Sequence, residues 1–215
     1  TATSAVLADE FRIATFNIQI FGKTKAGKDD VMAVLAEIVR KYDIVAVQEI
    51  KDAPNKVPGQ FLEAINADGS AYDMRVSDRT GQQPNDWSSR EQYAYYFDTE
   101  TVTSDGPGVL FDDSAEDLFQ REPYLARFIA KDGNFSFVLA SIHTKPDRAV
   151  TEIAALVHVV SWAREQWPDE DDVIVLGDFN AGCDYAAPHV LDSLELAGPD
   201  YIWIVPHDAD TNLAG

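Results

Sequence analysis

The chain has 215 residues, 46% of them hydrophobic and 11% aromatic, enough to bury a substantial core and too apolar for a disordered chain. With 17 basic residues against 37 acidic ones the net charge is −20, the reverse of the basic footprint of a nucleic-acid-coating protein. That balance still permits an enzyme that meets a polyanion through a small local site and a divalent cation, and no stretch reaches the ~18 uninterrupted apolar residues of a membrane span.

In chain order, Phe11–Phe16 alternates before the turn-prone Phe21-Gly22-Lys23 and predicts a strand. Residues 29–42 place Val31, Val34, Leu35, Ile38, Val39 and Tyr42 at helical spacing, with Asp29 and Asp30 at the N-terminal end. The run Asp43–Glu49 fits a buried strand, and 58–67 a second helix. Further β-like segments fall at 72–77, 91–97, 108–111, 122–130 and 135–142. A long helix is expected at 147–166, with Val150, Ile153, Ala154, Val157 and Val160 on one face and Pro168 beyond its end. Another buried strand, 172–176, runs into Gly177-Asp178-Phe179-Asn180; a short helix at 187–196 and a strand at 201–205 follow. Strands arrive both with crossover helices and as adjacent pairs. That mixture predicts two packed sheets with helices outside, not a doubly wound sheet. Neither a Gly-x-Gly-x-x-Gly nor a Walker-type loop is present.

Polar residues recur where apolar strands end: Asn17, Glu49, His143, and the Asp178/Asn180 pair. Strand ends are where an α/β core presents side chains to a common rim. Individually, Asn17 could make a turn, Glu49 could be solvated, His143 could be a satisfied core histidine, and Gly-Asp-Phe-Asn could be an Asx turn. Together they suit hydrolysis of a phosphodiester, which needs positive charge on the phosphate oxygens, an activated water and a proton for the leaving oxygen. Glu49 is a hard oxygen ligand of the kind Mg²⁺ takes. His143 exchanges protons near neutral pH. Asn17 and Asn180 can hold phosphate or metal-bound water without adding charge, and Arg121 can pair with phosphate in fork geometry.

Six ordered segments then resemble the deoxyribonuclease I family: Ile13-Ala14-Thr15-Phe16-Asn17-Ile18-Gln19-Ile20-Phe21-Gly22, Tyr42–Glu49, Ser89-Arg90-Glu91-Gln92-Tyr93, Arg121-Glu122-Pro123, Ile142-His143 with Pro146-Asp147, and Leu176–Cys183. The resemblance implies a four-layer α/β/β/α sandwich, and a divalent-metal-dependent phosphodiesterase, most simply a secreted, monomeric endonuclease nicking double-stranded DNA. By position, Glu49 would bind catalytic Mg²⁺ or Mn²⁺ and Glu91 would orient His143, the general acid or base. Asn17, Asp178 and Asn180 would organise metal and scissile phosphate. Arg121 would meet the DNA backbone and Lys51 the minor groove, unless Lys51 is simply a solvated charge. Ser89 stands where that family stacks a tyrosine; Trp87 either substitutes for it or packs on the core. Asp112, Asp117 and the Phe119 carbonyl partly match one structural calcium site of the family, and Asp210 with Thr211 begins another. Sphingomyelinases and phosphoinositide phosphatases share the Asn, Glu and Gly-Asp-x-Asn elements. Gln19–Gly22, Arg121-Glu122-Pro123 and Lys51 favour the nuclease branch.

The resemblance also implies a second Asp–His pair and a disulfide partner for Cys183, and neither occurs before Gly215. His158, His189 and His207 match no motif and read as surface or packing residues. Residues 1–215 are therefore expected to form a single deoxyribonuclease I-like domain without its last strands, weakly active or inactive alone. A fragment is favoured over a chain complemented by a second polypeptide or a catalytically incomplete DNA-binding relative, because every catalytic position that could be present is present. The excess of Asp over Glu, 25 to 12, suits either plain solubility or adaptation to high salt.

Overall fold

Two four-stranded sheets stack face to face in a computed structural model that describes residues 10–81, 89–133, 135–182, 185–206, 209 and 211. The first has the order β1-β2-β4-β3 and the second β5-β6-β7-β8. Their strands are β1 Ile13–Phe21, β2 Ile44–Ile50, β3 Tyr72–Val76, β4 Gln92–Asp98, β5 Val102–Leu110, β6 Tyr124–Ala130, β7 Ser136–His143 and β8 Val173–Asp178. The helices are α1 Lys23–Ala26, α2 Asp29–Val39, α3 Val57–Ile65, α4 Ala149–Gln166 and α5 Pro188–Leu191.

Period-2 side-chain alternation builds the layers. On β2, Ile44 and Ala46 face the other sheet while Val45 and Val47 face the helices. On β4, Tyr93, Tyr95 and Phe97 point inward and Ala94 and Tyr96 outward. Between the sheets those rings meet Tyr124, Phe128, Phe137 and Leu139; Tyr95 stacks on Tyr124 at 5.4 Å and meets Phe128 edge-on at the same distance. The Tyr95 hydroxyl sits 2.7 Å from the Tyr124 carbonyl and 3.0 Å from that of Leu139, so a phenol is buried without an orphaned polar atom. Outside the first sheet, α2 and α3 supply Met32, Leu35, Val39, Phe61 and Ile65. Outside the second, α4 supplies Ile153, Leu156, Val159 and Ala163. The order helix, sheet, sheet, helix is the expected four-layer sandwich.

Several elements differ from expectation for physical reasons. The helix expected at 29–42 is α2, which stops at Val39, short of Tyr42. The buried face of α4 runs through Ala149, Glu152, Ile153, Leu156, Val159, Val160 and Ala163, so Val150, Ala154 and Val157 sit at its margin. Strand β5 begins six residues earlier than 108, because Gly106-Pro107, which reads as a break, is absorbed as a register shift between Asp105 and Val109. The helix expected at 187–196 is the single turn α5 followed by a 3-10 turn, Glu195–Ala197. Residues 201–205 form no strand: Tyr201 and Trp203 pack on the core while Ile202 and Ile204 are exposed.

What positions the site is the pair of parallel ladders, β1 with β2 and β7 with β8. Each ladder brings two C-terminal strand ends to one edge of its sheet. Gln48 on β2 donates to the Ser141 hydroxyl on β7 at 2.9 Å, and Asn17 on β1 reaches Asp178 on β8. Both ladders therefore open onto one rim.

Candidate active site

Asn17 is the hub on the first sheet. Its amide nitrogen donates to Glu49 Oε1 at 3.0 Å and to Asp178 Oδ2 at 2.8 Å, joining the sheets, and its amide oxygen accepts the Gln19 N–H at 2.8 Å. Glu49 Oε2 accepts the Ile20 N–H at 2.8 Å. Burial pushes the Glu49 carboxyl up, but the Ile20 N–H, the Asn17 amide, and the charges of His143 and Lys51 outweigh it and hold Glu49 below the usual range. Each carboxylate oxygen has further lone pairs, so both can still take a cation. Local backbone shape is unusual here. Gln19, Ile20 and Glu49 have positive φ (46°, 52° and 61°), where both β1 and β2 lose register.

On the second sheet the register holds to the end, pairing Ile142 with Gly177 and His143 with Asp178. Gly177 has φ 148°, and a Cβ there would lie 1.9 Å from the Ile142 carbonyl oxygen, so only glycine permits this approach. His143 is buried, with Nδ1 2.8 Å from Glu91 Oε1 and Nε2 3.9 Å from Asp178 Oδ2. A carboxylate only accepts, so Nδ1 carries a proton, and in the neutral imidazole the lone pair is on Nε2. Glu91 is fully buried just before β4, and Arg121 lies 3.7 Å from its Oε1. The His143 N–H donates to the Tyr93 hydroxyl at 3.1 Å; burial pushes that phenol well above its usual pKa, keeping it neutral. Asp178 Oδ1 accepts the Asn180 N–H at 3.0 Å, and the Asn180 amide donates to the Thr144 carbonyl at 2.9 Å.

The structure thus brings together Asn17, Glu49, Glu91, His143, Asp178 and Asn180. Arg121 lies beneath them: only 6% exposed, it donates from Nε to the His143 carbonyl and from Nη2 to that of Thr144, both at 2.8 Å. Lys51 is half-buried directly after Ile50. Ser89 is buried and donates to the Gly81 carbonyl at 2.8 Å. Asp112, Asp117 and Phe119 sit on the β5–β6 loop, away from this group in the chain. There Asp112 accepts the Ser114 N–H, and it is Asp113 that accepts the Phe119 N–H at 2.9 Å. Trp87, Cys183, His207 and Asp210 lie outside the described residues; His158 and His189 are exposed.

Pattern reading missed Glu152. It is fully buried on α4; Oε1 accepts the Gln120 N–H and Oε2 the Lys145 N–H, each at 3.0 Å. One carboxylate thereby ties the segment leading to Arg121 to the segment leaving His143. Its signal was available: a glutamate one position before Ile153, on the stripe shared with Leu156 and Val159.

Hard oxygen donors from Glu49 and Asp178, with two amide side chains, suit Mg²⁺ or Mn²⁺, which take one or two carboxylates and keep waters. Among the described residues no group of three or more His, Cys, Asp or Glu forms a cage for a metal, and such ions need none. No helix among those residues is long and apolar enough to cross a membrane.

The sequence pattern of the endonuclease/exonuclease/phosphatase family matches residues 14–213. Human deoxyribonuclease-1 is 35% identical over 211 residues, 95% of this chain and 73% of that protein. Among solved structures, the catalytic domain of human nocturnin with bound sulfate aligns at TM-score 0.56 and 13% identity, covering 86% of this chain and 69% of that one. A mannosyl-6-phosphatase of Bacteroides thetaiotaomicron aligns at TM-score 0.54 and 17% identity, covering 80% and 66%. The two structures speak for the fold, and the deoxyribonuclease for a hydrolase of phosphodiester bonds. The chain belongs to the endonuclease/exonuclease/phosphatase family.

Proposed function

We propose that this protein is a divalent-metal-dependent nuclease that cuts within double-stranded DNA. The observation that carries the reading is the placement of His143 Nε2, free and 3.9 Å from Asp178, beside the oxygen donors of Glu49, Asn17 and Asp178. Kinship to deoxyribonuclease-1 supports DNA over other phosphodiesters.

Glu49 and Asp178 would hold Mg²⁺ or Mn²⁺, which when bound supplies positive charge to the phosphate oxygens as negative charge builds in the transition state. His143 Nε2 moves the proton, taking it from the attacking water or, when protonated, giving it to the leaving oxygen. Glu91 holds the imidazole in the tautomer that leaves Nε2 free and balances the charge His143 gains. Asn180 orients the scissile phosphate without adding negative charge beside a polyanion, and Asn17, its two N–H bonds given to Glu49 and Asp178, holds those two carboxylates together. Lys51 contributes to the cationic side of the DNA contact, and Arg121, buried beneath the site, supports it by fixing the His143 and Thr144 carbonyls. Asp112, Asp117 and the Phe119 carbonyl form a structural Ca²⁺ site, tested by a rise in melting temperature on adding Ca²⁺ that Asp112→Asn and Asp117→Asn remove.

The direct test is conversion of supercoiled plasmid to nicked circles with Mg²⁺ or Mn²⁺ and its loss with a chelator. Metal-dependent hydrolysis of a sugar phosphate or sphingomyelin, with plasmid left intact, would replace DNA as the substrate. Metal-dependent binding of DNA with no cleavage of any ester would instead make the chain a binding relative.

A further inference from the structure

Lys25 stands outside the group that would meet substrate, yet its ammonium is committed to the backbone beneath it. From α1 it donates to two successive carbonyls, Ile18 O at 2.6 Å and Gln19 O at 2.5 Å. The residues following those carbonyls, Gln19 and Ile20, are both left-handed, and Ile20 is β-branched. L-residues avoid this region, and a β-branched one most of all. Packing does not hold Ile20 there, since it is 62% exposed. Hydrogen bonds do: Asn17 accepts the Gln19 N–H, Glu49 accepts the Ile20 N–H, and the Gly22 N–H closes on the Ile20 carbonyl at 2.9 Å. The Ile18 and Gln19 carbonyls converge and would repel each other without a cation between them.

We propose that Lys25 is a positioning residue for the metal ligand Glu49. Its charge locks the arch 18–20 in the left-handed form, which keeps the Ile20 N–H on Glu49 Oε2 and aims the remaining lone pairs of that carboxylate at the cation. The proposal rests on the reading of Glu49 as a metal ligand. Groups that orient a ligand in this way are typically worth about 10–100-fold in metal affinity.

Calorimetric titration of the whole chain with Mn²⁺, and amide exchange of Ile20 in metal-free protein, test it. Lys25→Met should weaken Mn²⁺ binding by about tenfold or more and speed Ile20 exchange. Adding Ile20→Gly to Lys25→Met should restore much of the affinity, because glycine adopts the left-handed form without a clamp. If Lys25 merely anchored α1, glycine at 20 would rescue nothing, and that result overturns the proposal. Ile20→Gly alone should raise the melting temperature; no rise would mean the arch is unstrained and would also overturn it. Wild-type affinity and wild-type Ile20 exchange in Lys25→Met overturn it directly. Equal Mn²⁺ binding by wild type and Glu49→Gln sinks the metal reading instead, and Ile20 exchange then still decides whether Lys25 holds the arch.

Discussion

The two sheets follow one plan, a parallel pair continued by antiparallel strands, but they finish differently at the rim. In the second sheet, β7 and β8 stay in register from Val138 opposite Val173 to His143 opposite Asp178. In the first, β1 and β2 lose register after Asn17 and Gln48, and Gln19, Ile20 and Glu49 turn left-handed. The regular end carries His143, the proposed proton carrier, bonded at Nδ1 to Glu91 and set with Nε2 3.9 Å from Asp178 by the β7–β8 register. The irregular end carries the proposed cation ligand. There a bulge re-aims the Ile20 N–H at Glu49 and the Gln19 N–H at Asn17, at the cost of strain. A ladder sets distances, and a break in a ladder sets directions; this site uses each where it is needed.

Four experiments probe that division, from the largest effect to the smallest. His143→Ala and Glu49→Gln should each lower plasmid nicking at least about a hundredfold with the circular dichroism spectrum unchanged. Raising Mn²⁺ should recover part of the loss for Glu49→Gln and none for His143→Ala; equal recovery would erase the distinction between the two ends. Gly177→Ala places a methyl 1.9 Å from the Ile142 carbonyl and should cost about 3 kcal/mol in urea unfolding. A neutral result would mean that the β7–β8 end yields as easily as the β1–β2 end. Glu152→Gln leaves one of two backbone N–H groups facing an amide donor. Its cost should be about 1–2 kcal/mol, partly offset because burial already disfavours the charged carboxylate and raises its pKa. Nicking by this variant should fall less than in His143→Ala, as expected when the carboxylate acts through the backbone on both sides of that histidine.

The smallest effect is electrostatic. Glu49 in the folded protein titrates below its ordinary value of 4.5, so the folded state favours its ionised form. That contribution is fully present above about pH 4.5 and is lost as pH falls through the lower folded value. The stability difference between metal-free wild type and Glu49→Gln should therefore be flat near neutrality and shift against wild type on acidification. A difference that moves the other way would contradict the lowered pKa. Melting temperatures across pH 3–7, an interval of about four units, are sufficient to read the sign.

Much of the site was legible because apolar runs announce strands and the polar residues that close a run announce a rim. Asn17, Glu49, His143 and Asp178 all follow that rule. Glu91 does not: it precedes its strand, so only the likeness to known sequences marked it. Residues 201–205 alternate well enough to suggest a strand, but alternation specifies faces and says nothing about a backbone partner. Strand β5 outruns the expected 108–111 because its ladder continues across the register shift that holds Gly106-Pro107. Lys25 left no mark in the sequence, and Glu152 only its place on the buried stripe of α4, for a common reason. Both act on main-chain groups of other segments, and a hydrogen bond to a distant backbone leaves no spacing in the sequence.

The bond from Gln48 to Ser141 has a mechanical consequence. Two stacked plates joined only by greasy contact can slide, and a slip of one residue along a strand is about 3.3 Å. Gln48 is fully buried, bonded to Thr15 in its own sheet at 3.1 Å and to Ser141 in the other at 2.9 Å. It acts as a dowel through both plates, one residue before Glu49 and two before His143 in their respective strands. The gauge between Glu49, the proposed cation ligand, and His143, the proposed proton carrier, is thus set in the interior of the sandwich.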